Sequence, residues 1–140
     1  MHLFTQLASA ALLTLLVVLV HGAGVLAIGR QLRLGGERGR TRAFHIRTVA
    51  ILGAVALMLF ALHTIEIALF AAFFLAVGAI GTLEEALFFS ASAYSTLGQP
   101  GFDFPLEWRL LGAIEGVIGF LMLGWSTAFF VTDMNKLLRE

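Results

Sequence analysis

Leu3 to Ile28 is a run of 26 residues without a charge, longer than the roughly 20 residues an α-helix needs to cross a bilayer. Two more apolar stretches follow, Thr48 to Ile80 and Leu110 to Val131. Together they make lipid the solvent of this chain. Hydrophobic residues are 59% of the 140 and charged residues only 13%, and the mean hydropathy of +0.94 lies outside the range of soluble globular domains. Hydrocarbon offers backbone amides no water, so each N–H and C=O must be satisfied within its own segment. The three runs therefore read as helices, and the fold class as all-α integral membrane.

Charge placement gives an orientation. Six of the nine Lys and Arg residues are Arg30, Arg33, Arg38, Arg40, Arg42 and Arg47, between the first and second spans. Basic loops stay on the cytoplasmic side, and Lys136 and Arg139 after the last span fall on that side too. A basic run can also suggest nucleic acid, but its place between two spans makes it a topology signal, and no nucleic-acid partner is expected. The chain is expected to be multi-pass in the cell inner (plasma) membrane, amino terminus outside and carboxyl terminus cytoplasmic. Glu84, Glu85, Asp103 and Glu107, against Arg109, then form an acidic external surface.

Between the second and third spans lies a segment too short to cross. Gly78 and Gly81 end the second run, and Thr82-Leu83-Glu84-Glu85 has the form of a capping box opening a new helix. The apolar residues after it, Ala86 to Leu97, number twelve, the length of a re-entrant helix. Gly98-Gln99-Pro100-Gly101 breaks it. The expected elements are an outer helix from Thr48 to Val77, a short helix from Leu83 to Ser95 and an inner helix from Leu110 to Met134. Irregular backbone at membrane depth is tolerated only where protein buries it or it lines a watery cavity. One copy cannot enclose such a cavity, but four around an axis can. The short helices would then point their carboxyl ends, each carrying about half a negative charge, at a common centre. Carbonyls at Thr96, Leu97 and Gly98 would face a cation there.

These residues carry a family resemblance. Ser95-Thr96-Leu97-Gly98 after Leu87-Phe88-Phe89-Ser90 resembles the pore helix and filter entry of potassium-channel-type pore-loop channels, whose filter reads Thr-x-Gly-Tyr-Gly-Asp. His63-x-x-Glu66-Ile67, Glu107-Trp108-Arg109-Leu110-Leu111 and Gly124-Trp125-Ser126-Thr127-Ala128-Phe129 are similar to small bacterial members of that superfamily. The resemblance runs from Arg47 to Val131. It implies a homotetrameric cation channel in the bilayer, with residues 48–140 as the pore module, residues 1–47 as an added helix and basic loop, and no cofactor beyond permeant K+ or Na+. The filter would be Thr96, Leu97, Gly98, Gln99, Pro100 and Gly101. Where the family has Tyr-Gly-Asp, this chain has Gln99-Pro100-Gly101. Proline's φ is locked near −65°, whereas the second filter glycine takes positive φ. The outer carbonyl sites are therefore expected to be lost, and potassium selectivity with them.

Other polar residues admit two readings each. Glu66 and Glu115 are intramembrane carboxyls, costly to bury and functional by default. With His63, three residues before Glu66 on the same helix face, they either support the filter or bond to neighbouring helices as packing groups. Asp103 and Glu107 either ring the outer mouth and concentrate cations or are ordinary solvated charges. His21 and His63, in different spans, could as a pair ligate haem or a metal, and haem would make the protein a membrane electron carrier; a non-conducting scaffold subunit is a third class. Gly112, Gly116 and Gly119 read chiefly as close-packing positions. The first helix is expected at the periphery. The chain has no Cys, and it shows no nucleotide-binding, nucleophile-elbow or metalloprotease motif, so no enzymatic activity is expected.

Overall fold

The computed structural model describes residues 2–36, 44–98 and 104–139. Its elements are α1 (His2–Gly36), α2 (Phe44–Ala76), α3 (Leu83–Tyr94), a 3-10 turn (Leu106–Trp108) and α4 (Arg109–Arg139). Among the described residues, three helices are long and apolar enough to span a membrane, over Leu3–Leu32, Thr48–Ala76 and Leu106–Asn135. At 1.5 Å per residue the twelve residues of α3 reach only about 18 Å, short of the roughly 30 Å hydrocarbon core.

The long helices extend past the apolar runs, because hydropathy marks only the part in hydrocarbon. Gln31 and Leu32, good helix formers, continue α1 beyond Ile28, and α4 continues through Asn135 and Lys136. The ends of α2 and α3 obey backbone chemistry. Gly78 adopts φ +69, with Ala79 N–H donating to Phe74 C=O at 2.9 Å and Gly78 N–H to Leu75 C=O at 3.0 Å. This is the left-handed stop that satisfies the last carbonyls of a helix. Thr82 then caps α3: its Oγ1 accepts from Glu85 N–H at 3.2 Å and donates to Glu85 Oε2 at 2.9 Å.

α1 and α4 run parallel, with α2 antiparallel between their registers. Near one end Gln6 Oε1 accepts from Leu110 N–H at 3.0 Å, satisfying a donor that the first turn of α4 would otherwise leave open. Towards the other end Gly29 lies beside Phe129. Gly24 gives α2 its close approach, since a Cβ there would stand 2.6 Å from the Leu62 side chain. α3 packs against both α2 and α4. Around it Phe74 meets Phe89 edge-on at 5.2 Å and Phe104 stacks on Phe89 at 4.2 Å, pairs worth about 1 kcal/mol each beyond their burial. Buried Phe104 thus pins the returning chain onto α3 before α4 begins.

The outer surface is apolar, and several polar side chains lie inside beside an apolar core. Phe4, Leu12, Leu26, Leu57, Phe60 and Phe120 point outward, while Gln6, His21, Glu66, Ser90, Glu115 and Ser126 are buried. Apolar residues outside and polar ones within is the arrangement a lipid solvent selects.

Candidate functional site: a carboxylate cluster beneath the turn after α3

Glu66, about two thirds of the way along α2, is fully buried. An isolated carboxylate there would be prohibitively costly, and three donors surround it. His21 of α1 approaches Oε1 through Nδ1 at 2.8 Å. His63, one turn back on α2, approaches Oε2 through Nδ1 at 3.0 Å. Tyr94, the last residue of α3, donates its hydroxyl proton to the same Oε2 and lies 3.0 Å from His63 Nδ1. A carboxylate only accepts, so each imidazole engages it through an Nδ1–H. His21 Nε2 faces Ser126 Oγ of α4 at 3.5 Å, and the Trp125 ring covers the same imidazole at 5.1 Å between centroids. One carboxylate therefore links residues of α1, α2 and α3 directly, and α4 through His21.

Sequence reasoning placed Glu66 with His63, and the structure joins them. It drew no link between α1 and Glu66, and the structure adds one: His21, Val17 and Gln6 are buried within the chain, and His21 supplies a direct partner to Glu66. Tyr94 was not singled out, and Ser126 entered only as one residue of the motif from Gly124 to Phe129. A hydroxyl in an otherwise apolar helix does not name its partner. His21 and His63, the pair considered for haem, have ring centroids 5.5 Å apart, and both Nδ1 atoms turn to the same carboxyl group.

Glu115 of α4 forms a second, separate buried acid. Ser90 of α3 faces its carboxyl, and Ser90 Oγ and both Glu115 oxygens are enclosed without a well-formed hydrogen bond among the described residues. Glu115 thus lies against the back of α3, as Glu66 lies beneath its end.

Beyond Tyr94 the backbone turns sharply. Leu97 N–H donates to Ser92 C=O at 3.0 Å and Thr96 N–H to Ala93 C=O at 2.9 Å, the bonding pattern that closes α2 at Gly78. Here, however, the left-handed residue is Thr96, at φ 62. A β-branched residue rarely occupies that region, and doing so costs on the order of 1–3 kcal/mol. Gly98 follows at φ +97, and Leu97 is 85% exposed. Gly116 and Gly119 of α4 receive the end of α3. A Cβ on Gly116 would lie 3.1 Å from Ala93 C=O, and one on Gly119 would overlap the Tyr94 carbonyl. These two glycines are packing positions, as their spacing suggested. A cavity of about 450 Å³ opens beside the turn, lined by Ala93, Thr96, Gly98, Gly112, Val117 and Phe120 among others. Gln99, Pro100, Gly101 and Asp103 lie outside the described residues, and Glu107 is exposed on the 3-10 turn.

Compared with known protein families, with characterised proteins and with solved structures, the chain gives no match to any of them.

Proposed function

We propose that four copies of this chain assemble into a cation channel, with the turn from Thr96 to Gly98 facing the axis. The observation that carries this reading is a helix too short to span, seated in a glycine groove of α4 and ending in an exposed, strained turn. Strained backbone clusters at functional sites because the surroundings must be built to hold it. The carboxyl end of α3 directs its partial negative charge at that turn, and the neighbouring carbonyls can replace the water around a cation. The open cavity on the same face offers room for an adjoining copy. The Glu66 cluster and Glu115 would brace α3 from below and behind, and Asp103 and Glu107 would lie at the outer mouth.

On this reading the filter is a shortened potassium-type filter, continued by Gln99, Pro100 and Gly101, and the ions conducted are monovalent and weakly discriminated. The basic loop faces the cytoplasm. Rings that converge through Nδ1 on one carboxylate lend no support to a haem carrier, which needs two imidazoles facing a flat slot. Reconstitution into planar bilayers tests the proposal: single-channel cation currents are expected, and electrically silent bilayers containing correctly folded protein would reject it.

A further inference from the structure

The Glu66 cluster has the donor set of a metal site. Among the described residues, a ring nitrogen of His21, a ring nitrogen of His63 and a Glu66 oxygen all lie within 4.8 Å of one another, and each imidazole meets the carboxylate through Nδ1. We propose that this cluster binds one divalent transition-metal ion of the zinc class, ligated by His21 Nδ1, His63 Nδ1 and Glu66. The inference rests on the geometry of the cluster and stands whether or not the chain forms a channel.

Two imidazoles and one carboxylate suit Zn2+ and its neighbours, whereas Ca2+ and Mg2+ require oxygen donors. The distances are close to those of a loaded site. Metal–ligand bonds of about 2.0–2.2 Å put tetrahedral ligand atoms about 3.3 Å apart. His21 Nδ1 stands 2.8 Å from Glu66 Oε1 and His63 Nδ1 3.0 Å from Glu66 Oε2, so each of these pairs needs to open by about half an ångström or less. The metal would replace two N–H···O bonds by coordination from the same atoms.

Groups around the ligands fit that exchange. When Nδ1 binds a metal the imidazole proton resides on Nε2 and needs an acceptor. Ser126 Oγ stands 3.5 Å from His21 Nε2, within a small adjustment of that role. A ligating carboxylate is commonly held by a further hydrogen bond, and Tyr94 supplies one to Glu66 Oε2. His21 and Glu66 are sealed from the surface, while His63 is 12% exposed, which gives an ion one side of approach. Three protein ligands leave a fourth position for water. Bound metal would clamp α1 to α2 at the residue that also holds the end of α3.

The test uses full-length, untagged protein in detergent, stripped with a chelator and titrated with Zn2+ by calorimetry and with Co2+ by visible absorption. One metal per chain is expected at micromolar affinity or tighter. Co2+ should give the strong visible bands of a four- or five-coordinate site. His21→Ala and His63→Ala should each abolish both signals, and the double variant His2→Ala, His45→Ala should retain them. Electron paramagnetic resonance of Cu2+ bound to the unaltered protein gives a readout independent of variant folding, and should show coupling to two imidazole nitrogens. Absence of stoichiometric binding, binding that survives both single histidine variants, or a Cu2+ spectrum from oxygen ligands alone would overturn the site.

Discussion

Tyr94 donates its hydroxyl proton to Glu66 Oε2, so the last residue of α3 is tied to α2 about ten residues before its end. Thr96, with its left-handed backbone, comes two residues later. Glu66 is therefore joined to the turn through Tyr94 by direct contact.

Replacing Glu66 with Gln is expected to be severely destabilising. The amide presents N–H groups to donors it cannot accept from, and breaking a buried charged network from one side costs about 3 kcal/mol or more. Tyr94→Phe removes one donor and leaves two, so about 1–2 kcal/mol is expected. Denaturant titration in detergent measures both. Equal, small effects would mean that Glu66 is not the hub of the cluster.

Gly119→Ala and Gly53→Ala should differ in sign. A methyl at position 119 overlaps the Tyr94 backbone carbonyl, which cannot rotate aside, and overpacking of this kind costs about 1–3 kcal/mol. A methyl at position 53 meets nothing within 4 Å, and alanine stabilises a helix over glycine by up to about 1 kcal/mol. Thermal unfolding of the two variants makes the comparison, and a neutral Gly119→Ala would contradict the close seat of α3 on α4.

Orientation is open to a labelling experiment. With cysteines introduced singly at Gly36 and Asp103 in this cysteine-free chain, an impermeant maleimide should label Asp103→Cys from outside intact cells. Gly36→Cys should be labelled only after permeabilisation. The opposite pattern would reverse the topology drawn from the arginine loop.

How much of this was legible in the sequence depends on the range of the interaction. The start of α3 was legible because its cap is local: Thr82 and Glu85 are three residues apart. The end of α2 was legible from Gly78, since its left-handed stop needs a residue free of Cβ strain. The end of α3 near Ser95 was read from the filter resemblance and the break at Gly98, but the left-handed backbone of Thr96 was not, because a threonine gives no such signal. His63 and Glu66 were readable as one face of a helix, whereas His21 and Glu66 are 45 residues apart and meet only through the packing of α1 on α2. Hydropathy cannot encode that register. It underestimated helix lengths for a related reason: it stops at Ile28 where the hydrogen-bonded backbone runs on to Gly36.

The filter reading makes a compositional prediction. Proline cannot supply the positive φ that alternating filter carbonyls need, so Gln99→Tyr, Pro100→Gly and Gly101→Asp together should add carbonyl sites and raise preference for potassium over sodium. Reversal potentials under mixed-ion conditions measure it. Strong potassium preference in the unaltered protein would refute the argument from Pro100.

Imaging single particles of the full chain in lipid nanodiscs tests the central claim most directly. The account predicts four copies about one axis, α3 ends converging on it, and ion density level with the carbonyls of Thr96 and Leu97. A particle containing one or two copies, or four with those turns facing lipid, would contradict it.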